Sequence, residues 1–172
     1  MSVDRPKTHR ILVIDDNAAI HDDFRKVLCP AAAPPTALSD AAARLFKRQP
    51  TPSRQAVYEV DASERGQDGV AMVSQALDEG RPYAVVFVDM RMPNGWNGLE
   101  TTRRIWQVAP STFVVLCTAF SDFSWAQIRE ELRQHDRFLI LKKPFDNIEV
   151  QQLAESLCTR ATIEGVNLPD KR

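Results

Sequence analysis

Long apolar runs are missing from this 172-residue chain; the longest, such as Ile11–Ile14 and Ala84–Val88, hold four to five residues. A helix that crosses a bilayer needs roughly 20, so no membrane span is expected. The opening segment, MSVDRPKTHR, has no apolar stretch behind its basic residues, which excludes a secretory signal and implies a cytoplasmic protein. A charge excess is missing too: 22 Lys and Arg against 23 Asp and Glu leave a formal net charge of -1. That balance gives no field to draw nucleic acid or an anionic membrane. Cysteine is scarce, and Cys29, Cys117 and Cys158 are widely spaced, so there is no disulfide framework, CxxC pair or zinc spacing. Cys117 closes an apolar run and reads as a small core residue. His9, His21 and His135 are scattered and make no zinc site; His21, despite its acidic neighbours Asp22 and Asp23, is expected on the surface. There is no GxxxxGKS/T loop for a nucleotide, no GxSxG elbow and no internal repeat.

What is present is alternation. Apolar runs recur at Ile11–Ile14, Ala56–Val60 (the weakest), Ala84–Val88, Thr112–Leu116 and Phe138–Leu141. Three are continuous and β-branched, the pattern of parallel strands covered on both faces. Between them lie helical stripes: Ile20, Phe24, Val27 and Leu28; Val70, Val73 and Leu77; Trp125, Ile128 and Leu132; Val150, Leu153, Ala154 and Leu157, with a less clearly patterned helix between Asn97 and Val108. Strands alternating with helices imply right-handed crossovers and a five-stranded, doubly wound parallel α/β sheet. The 29–56 stretch between the first helix and the second strand, with Pro30, Pro34, Pro35, Pro50 and Pro52, far exceeds the roughly 2–6 residues of an ordinary connection. It is either a surface insertion or a small docked helix, Asp40 to Lys47, capped by Ser39 and presenting Leu45 and Phe46.

Open α/β sheets bind ligands beyond the carboxyl ends of their strands. Here those ends carry Asp15-Asp16, Asp89, Cys117-Thr118-Ala119 and Lys142-Lys143-Pro144. Carboxylates crowded together repel unless some protonate or a cation joins them, and oxygen ligands suit Mg2+. A carboxylate beside Mg2+ is a competent nucleophile toward phosphorus. A lysine and a hydroxyl suit the charge on a transferring phosphoryl group.

Four pieces in this order, ILVIDDN at 11–17, VDMRMP at 88–93 with Gly98 after it, Thr118-Ala119, and Lys143-Pro144-Phe145, make the chain resemble the receiver domain of two-component response regulators. Each piece sits at a strand end, and together they span nearly the whole chain. The resemblance implies a flavodoxin-like sheet of order 2-1-3-4-5, with residues 1–9 an N-terminal tail, 10–160 the receiver domain with 29–56 inserted, and 161–172 a C-terminal tail. It implies that Asp89 accepts a phosphoryl group. Asp15 and Asp16 would place Mg2+, with Asp89 and the backbone carbonyl of Arg91 as further ligands, and Lys143 and Thr118 would bind the phosphoryl oxygens. Adjacent strand residues face opposite ways, so only one of Lys142 and Lys143 enters the site; Lys143 precedes proline, where the family has its lysine. Arg91 and Phe120, both bulky, flank the phosphoryl group in the family and are expected to slow its hydrolysis. The domain would be a signalling switch rather than a turnover enzyme, catalysing only its own Mg2+-dependent phosphorylation and slow dephosphorylation. Its partners would be a histidine kinase or phosphotransfer protein, a downstream protein, or a second copy of itself.

Two positions depart from the family pattern. Where many receivers have an aromatic three residues before the site lysine, this chain has Ile140, with Phe138 two residues earlier; the switch pair becomes Thr118 and Ile140. That departure keeps open a different class of function, a constitutive interaction module on a receiver fold. The Met92–Gly98 segment is one residue longer than usual and raises Trp96 above the site, either to meet a partner or to pack over the third helix. Only the short Thr159–Arg172 segment follows the last helical stripe. Output is therefore expected from a partner, unless the chain is the N-terminal receiver of a larger hybrid kinase or regulator.

Overall fold

A computed structural model describes residues 8–30, 57–119, 123–132 and 136–165. Among these residues, five strands, β1 (Thr8–Ile14), β2 (Val57–Ser63), β3 (Val85–Asp89), β4 (Phe113–Thr118) and β5 (Phe138–Lys142), alternate with five helices. The helices are α1 (Ala18–Leu28), α2 (Gly66–Asp78), α3 (Gly98–Val108), α4 (Trp125–Glu131) and α5 (Asn147–Ile163). The sheet is parallel throughout, in the order β2-β1-β3-β4-β5, the flavodoxin-like arrangement expected.

The two-residue period of a strand sorts its side chains into two cores. Leu12, Ile14, Val86, Val88, Val114 and Leu116 face α2, α3 and α4, where Val73, Leu99, Ile105 and Ile128 cover them. Ile11, Val13, Val85, Phe87, Val115 and Cys117 face α1 and α5, against Phe24, Leu28, Ala154 and Leu157. With both faces covered, every residue of β3 and β4 is buried, which is why those runs read as unbroken hydrophobics. On the second face Phe24 meets Phe87 edge-on at 4.8 Å and Phe145 at 5.4 Å.

Helix starts are set by polar caps. Asn17 caps α1, Asn97 caps α3, and capping boxes start α4 (Ser124 with Gln127) and α5 (Asp146 with Glu149). Several expected limits differ. The second strand runs Val57–Ser63 rather than Ala56–Val60; its polar end, Asp61-Ala62-Ser63, is tolerated because β2 is an edge strand. β1 starts at Thr8 and α5 continues to Ile163, so regular structure overlaps both expected tails. Trp125 is 57% exposed because it occupies the first turn of α4, at the rim of the core rather than over it. The possible helix at Asp40–Lys47 lies outside the described residues.

Candidate functional site

The carboxyl ends of β1, β3, β4 and β5 meet in one crevice. Asp15 leaves β1 still in strand register: its N–H donates to Ser63 O at 3.0 Å. Its Oδ1 accepts from the Asn17 N–H at 2.9 Å, which turns the chain into α1. Asp89 closes β3, and its Oδ2 accepts from the Arg91 N–H at 3.0 Å. Gly98 lets α3 start directly against this turn, because a Cβ there would lie 2.6 Å from Asp89 O. Lys143 is aligned by its own N–H donating to Thr118 O at 2.8 Å. Its Nζ donates to Asp15 Oδ2 and to Asp89 Oδ1, each at 2.6 Å.

Asp15 and Asp89 are buried, while Asp16 is exposed at the lip. Carboxylate oxygens of the three lie within 4.8 Å of one another. Burial pushes the Asp89 carboxyl above its ordinary pKa, with the Asp15 charge adding to the shift, even though pairing to Lys143 opposes it. Burial works against the Lys143 ammonium too, but its bonds to both carboxylates more than offset that and hold it above its usual value. Lys143 thus pairs with two of the three clustered carboxylates, Asp15 and Asp89, and Asp16 adds a third negative charge beside them. A hard divalent cation that takes oxygen ligands fits this donor set and would relieve the remaining repulsion.

The other expected residues separate into those that reach the crevice and those that do not. Lys142 is exposed and belongs to the opposite side of β5. Thr118 stands at the crevice, but its hydroxyl donates to Ala119 O at 2.9 Å. The Arg91 side chain is exposed, and Phe120 lies outside the described residues. Ile140 is half-buried on the α3 and α4 side of β5. Trp96 packs back on α3 under the Arg104 guanidinium, 5.0 Å above the ring.

His21 corrects the expectation of a surface residue. It is 6% exposed, and its Nε2 lies 2.7 Å from Asp15 O. The signal was its spacing, since His21, Phe24 and Leu28 form the buried stripe of α1. A groove of about 800 Å³ beside the crevice was also unforeseen; it is lined by Thr118, Phe123, Trp125, Phe138, Ile140 and Lys142 among others. Phe138 lies between two tryptophans there, 6.4 Å from Trp106 and 6.0 Å from Trp125.

The family model of the response regulator receiver domain matches residues 39–155. The chain belongs to this family. The matched segment begins after α1, so Asp15 and Asp16 fall outside it, and it is the pairing of β1 with β3 that brings them beside Asp89. Among solved structures, the receiver domain is similar to that of AraT, a response regulator from Geobacillus stearothermophilus, with 20% identity over 91% of this chain and 98% of that one and a TM-score of 0.62. A receiver domain protein from Clostridium thermocellum gives 18% identity over 91% and 98%, with a TM-score of 0.62. A structure described as an adenylate cyclase from Rhodopirellula baltica gives 19% over 92% and 94%, also at 0.62. At such identities the likeness is one of fold. No curated protein matches. Among the described residues no helix is long and apolar enough to cross a membrane.

Proposed function

We propose that this receiver domain is a phosphorylatable switch of a two-component phosphorelay, with Asp89 as its phosphoacceptor. The observation that carries this reading is the arrangement around Lys143, whose Nζ sits 2.6 Å from both Asp15 and Asp89. The step is a displacement at phosphorus. An Asp89 carboxylate oxygen forms the new O–P bond as the P–N bond of a donor phosphohistidine breaks, and the imidazole leaves with the electron pair. Lys143 moves its ammonium from the Asp89 carboxylate to the phosphoryl oxygens, and Thr118 turns its hydroxyl from Ala119 O toward them. Asp15, Asp16, Asp89 and the backbone carbonyl of Arg91 would hold Mg2+, which when bound neutralises the charge on the transferring group. The functional unit is the receiver domain from β1 through α5 in a cytoplasmic setting, with a histidine kinase or phosphotransfer protein as donor. The groove beside Thr118 and Ile140 is the face offered to a downstream protein or a second copy.

Intact-mass spectrometry of the full chain after acetyl phosphate and Mg2+ tests this reading. One phosphoryl adduct is expected on the wild type and none on Asp89→Asn. An unmodified wild type would overturn it and favour a constitutive interaction module. Arg91 and Phe120 are assigned to slowing hydrolysis, so phosphate release should be faster in the Arg91→Ala/Phe120→Ala double variant than in the wild type; the reverse order would remove that assignment.

A further inference from the structure

We propose that His21 is a positioning residue for the divalent-cation site, acting through the peptide that joins Asp15 to Asp16. This inference rests on the Mg2+ reading above. Asp15 O is a carbonyl oxygen and can only accept, so the Nε2 atom 2.7 Å away carries the proton and donates it. That oxygen belongs to the same planar unit as the Asp16 N–H. Holding the oxygen therefore fixes the direction from which the Asp16 backbone, and so its carboxylate, departs. The preceding peptide is held separately by the Asp15 N–H to Ser63 O bond at 3.0 Å. The Asp15 side chain is itself pinned by the Asn17 N–H and by Lys143. Asp16 is exposed at the lip, and the His21 bond fixes the peptide from which it springs.

The burial of His21 points the same way. Its neighbours on the buried stripe of α1, Phe24 and Leu28, are apolar, and an apolar residue would complete that stripe with no polar group to satisfy. The imidazole is accommodated at 6% exposure with a short bond to the one backbone oxygen between the two acidic residues. Partners that orient ligands from behind typically change metal affinity by about 10- to 100-fold when removed.

The test is calorimetric titration of the full-length chain with Mg2+, beside thermal melts without metal. Three variants are compared with the wild type: His21→Gln, which places an amide N–H near the Nε2 position; His21→Asn, which is polar but too short; and His21→Leu, which is apolar. Wild-type Mg2+ binding with an affinity about 10-fold weaker in His21→Asn and His21→Leu, and within about 3-fold of wild type in His21→Gln, is the expected result. Should His21→Leu fail to fold, the Gln and Asn pair decides. Equal affinities across the folded variants, or His21→Gln as weak as His21→Asn, would overturn the inference while leaving the Mg2+ site standing. A wild type that binds no Mg2+ would overturn both, and is told apart by that first titration.

Discussion

Two charged clusters sit on this sheet, and they are built to opposite rules. Near the amino ends of β1 and β3, Arg10 donates to Asp61 Oδ2 at 2.7 Å and to the Arg81 carbonyl at 2.9 Å. Tyr83 donates its hydroxyl to the same Asp61 oxygen at 2.7 Å while its ring lies 4.5 Å beneath the Arg10 guanidinium. Arg81 pairs with Glu59 at 2.7 Å. Two arginines answer two carboxylates, and the cluster ties β1, β2 and the turn before β3 together. At the carboxyl ends, Lys143 pairs with Asp15 and Asp89, and the Asp16 carboxylate lies within 4.8 Å of theirs. The balanced cluster does structural work, whereas the acidic one keeps a deficit of positive charge that a divalent cation can fill and a phosphoryl group can then use.

The comparison breaks most visibly at Lys143. Replacing it with Met removes the ammonium shared by Asp15 and Asp89. The rate of labelling by acetyl phosphate should fall roughly 100-fold, measured by quenched-flow mass spectrometry. In the balanced cluster, Arg10→Met removes the guanidinium from Asp61 and leaves it the Tyr83 hydroxyl, so urea unfolding should show a loss of about 2 kcal/mol while the labelling rate stays within about 2-fold of wild type. A large loss of labelling in Arg10→Met would mean the two clusters are coupled.

The sharpest contrast is one of sign. Neutralising Asp61 to Asn should lower metal-free stability by on the order of 1 kcal/mol, because it weakens paired bonds. Neutralising Asp89 to Asn should raise it, because burial and the Asp15 charge already disfavour the ionised form. The linkage agrees: a carboxyl whose folded pKa lies above its unfolded one binds a proton more tightly when folded, so its share of stability is lost as pH rises through that interval and regained on acidification. Carbon-13 titration of the Asp89 carboxyl without metal should place its midpoint above the ordinary carboxylate value, and Mg2+ should pull it down. A midpoint at the ordinary value would remove the electrostatic difference between the two ends.

The strand ends were legible because three of the runs are fully buried and stop abruptly at a polar residue. A β-branched stretch that halts at Asp15, Asp89 or Thr118 marks where the sheet meets solvent, and the fold class follows from the same runs. The edge strand β2 was harder to delimit, since the partner of Asp61, Arg10, arrives from another strand and that of the Ser63 hydroxyl, the Arg65 backbone, from the turn that follows. His21 is hidden for a related reason: a polar residue at Phe24 minus three lies on the buried stripe, but its acceptor is a backbone oxygen that no side-chain pattern announces. The groove beside Thr118 depends on how α4 seats against β5, with Phe138 between Trp106 and Trp125. That is a property of packing, and helical periodicity alone placed Trp125 on the wrong side of the surface.

The cysteines give the chain a clock for its own opening. Cys117 pairs across the sheet with Asp89 and is 3% exposed, while Cys158 on α5 is 1% exposed. Burial pushes the Cys117 thiol upward, and that of Cys158 up to about 12. Alkylating reagents consume thiolate, so neither reacts until its element detaches, whereas Cys29 is exposed from the start. The lag between modification of Cys29 and of Cys117 thus counts how often the α1 and α5 layer that covers Cys117 lifts from the sheet behind the acidic crevice.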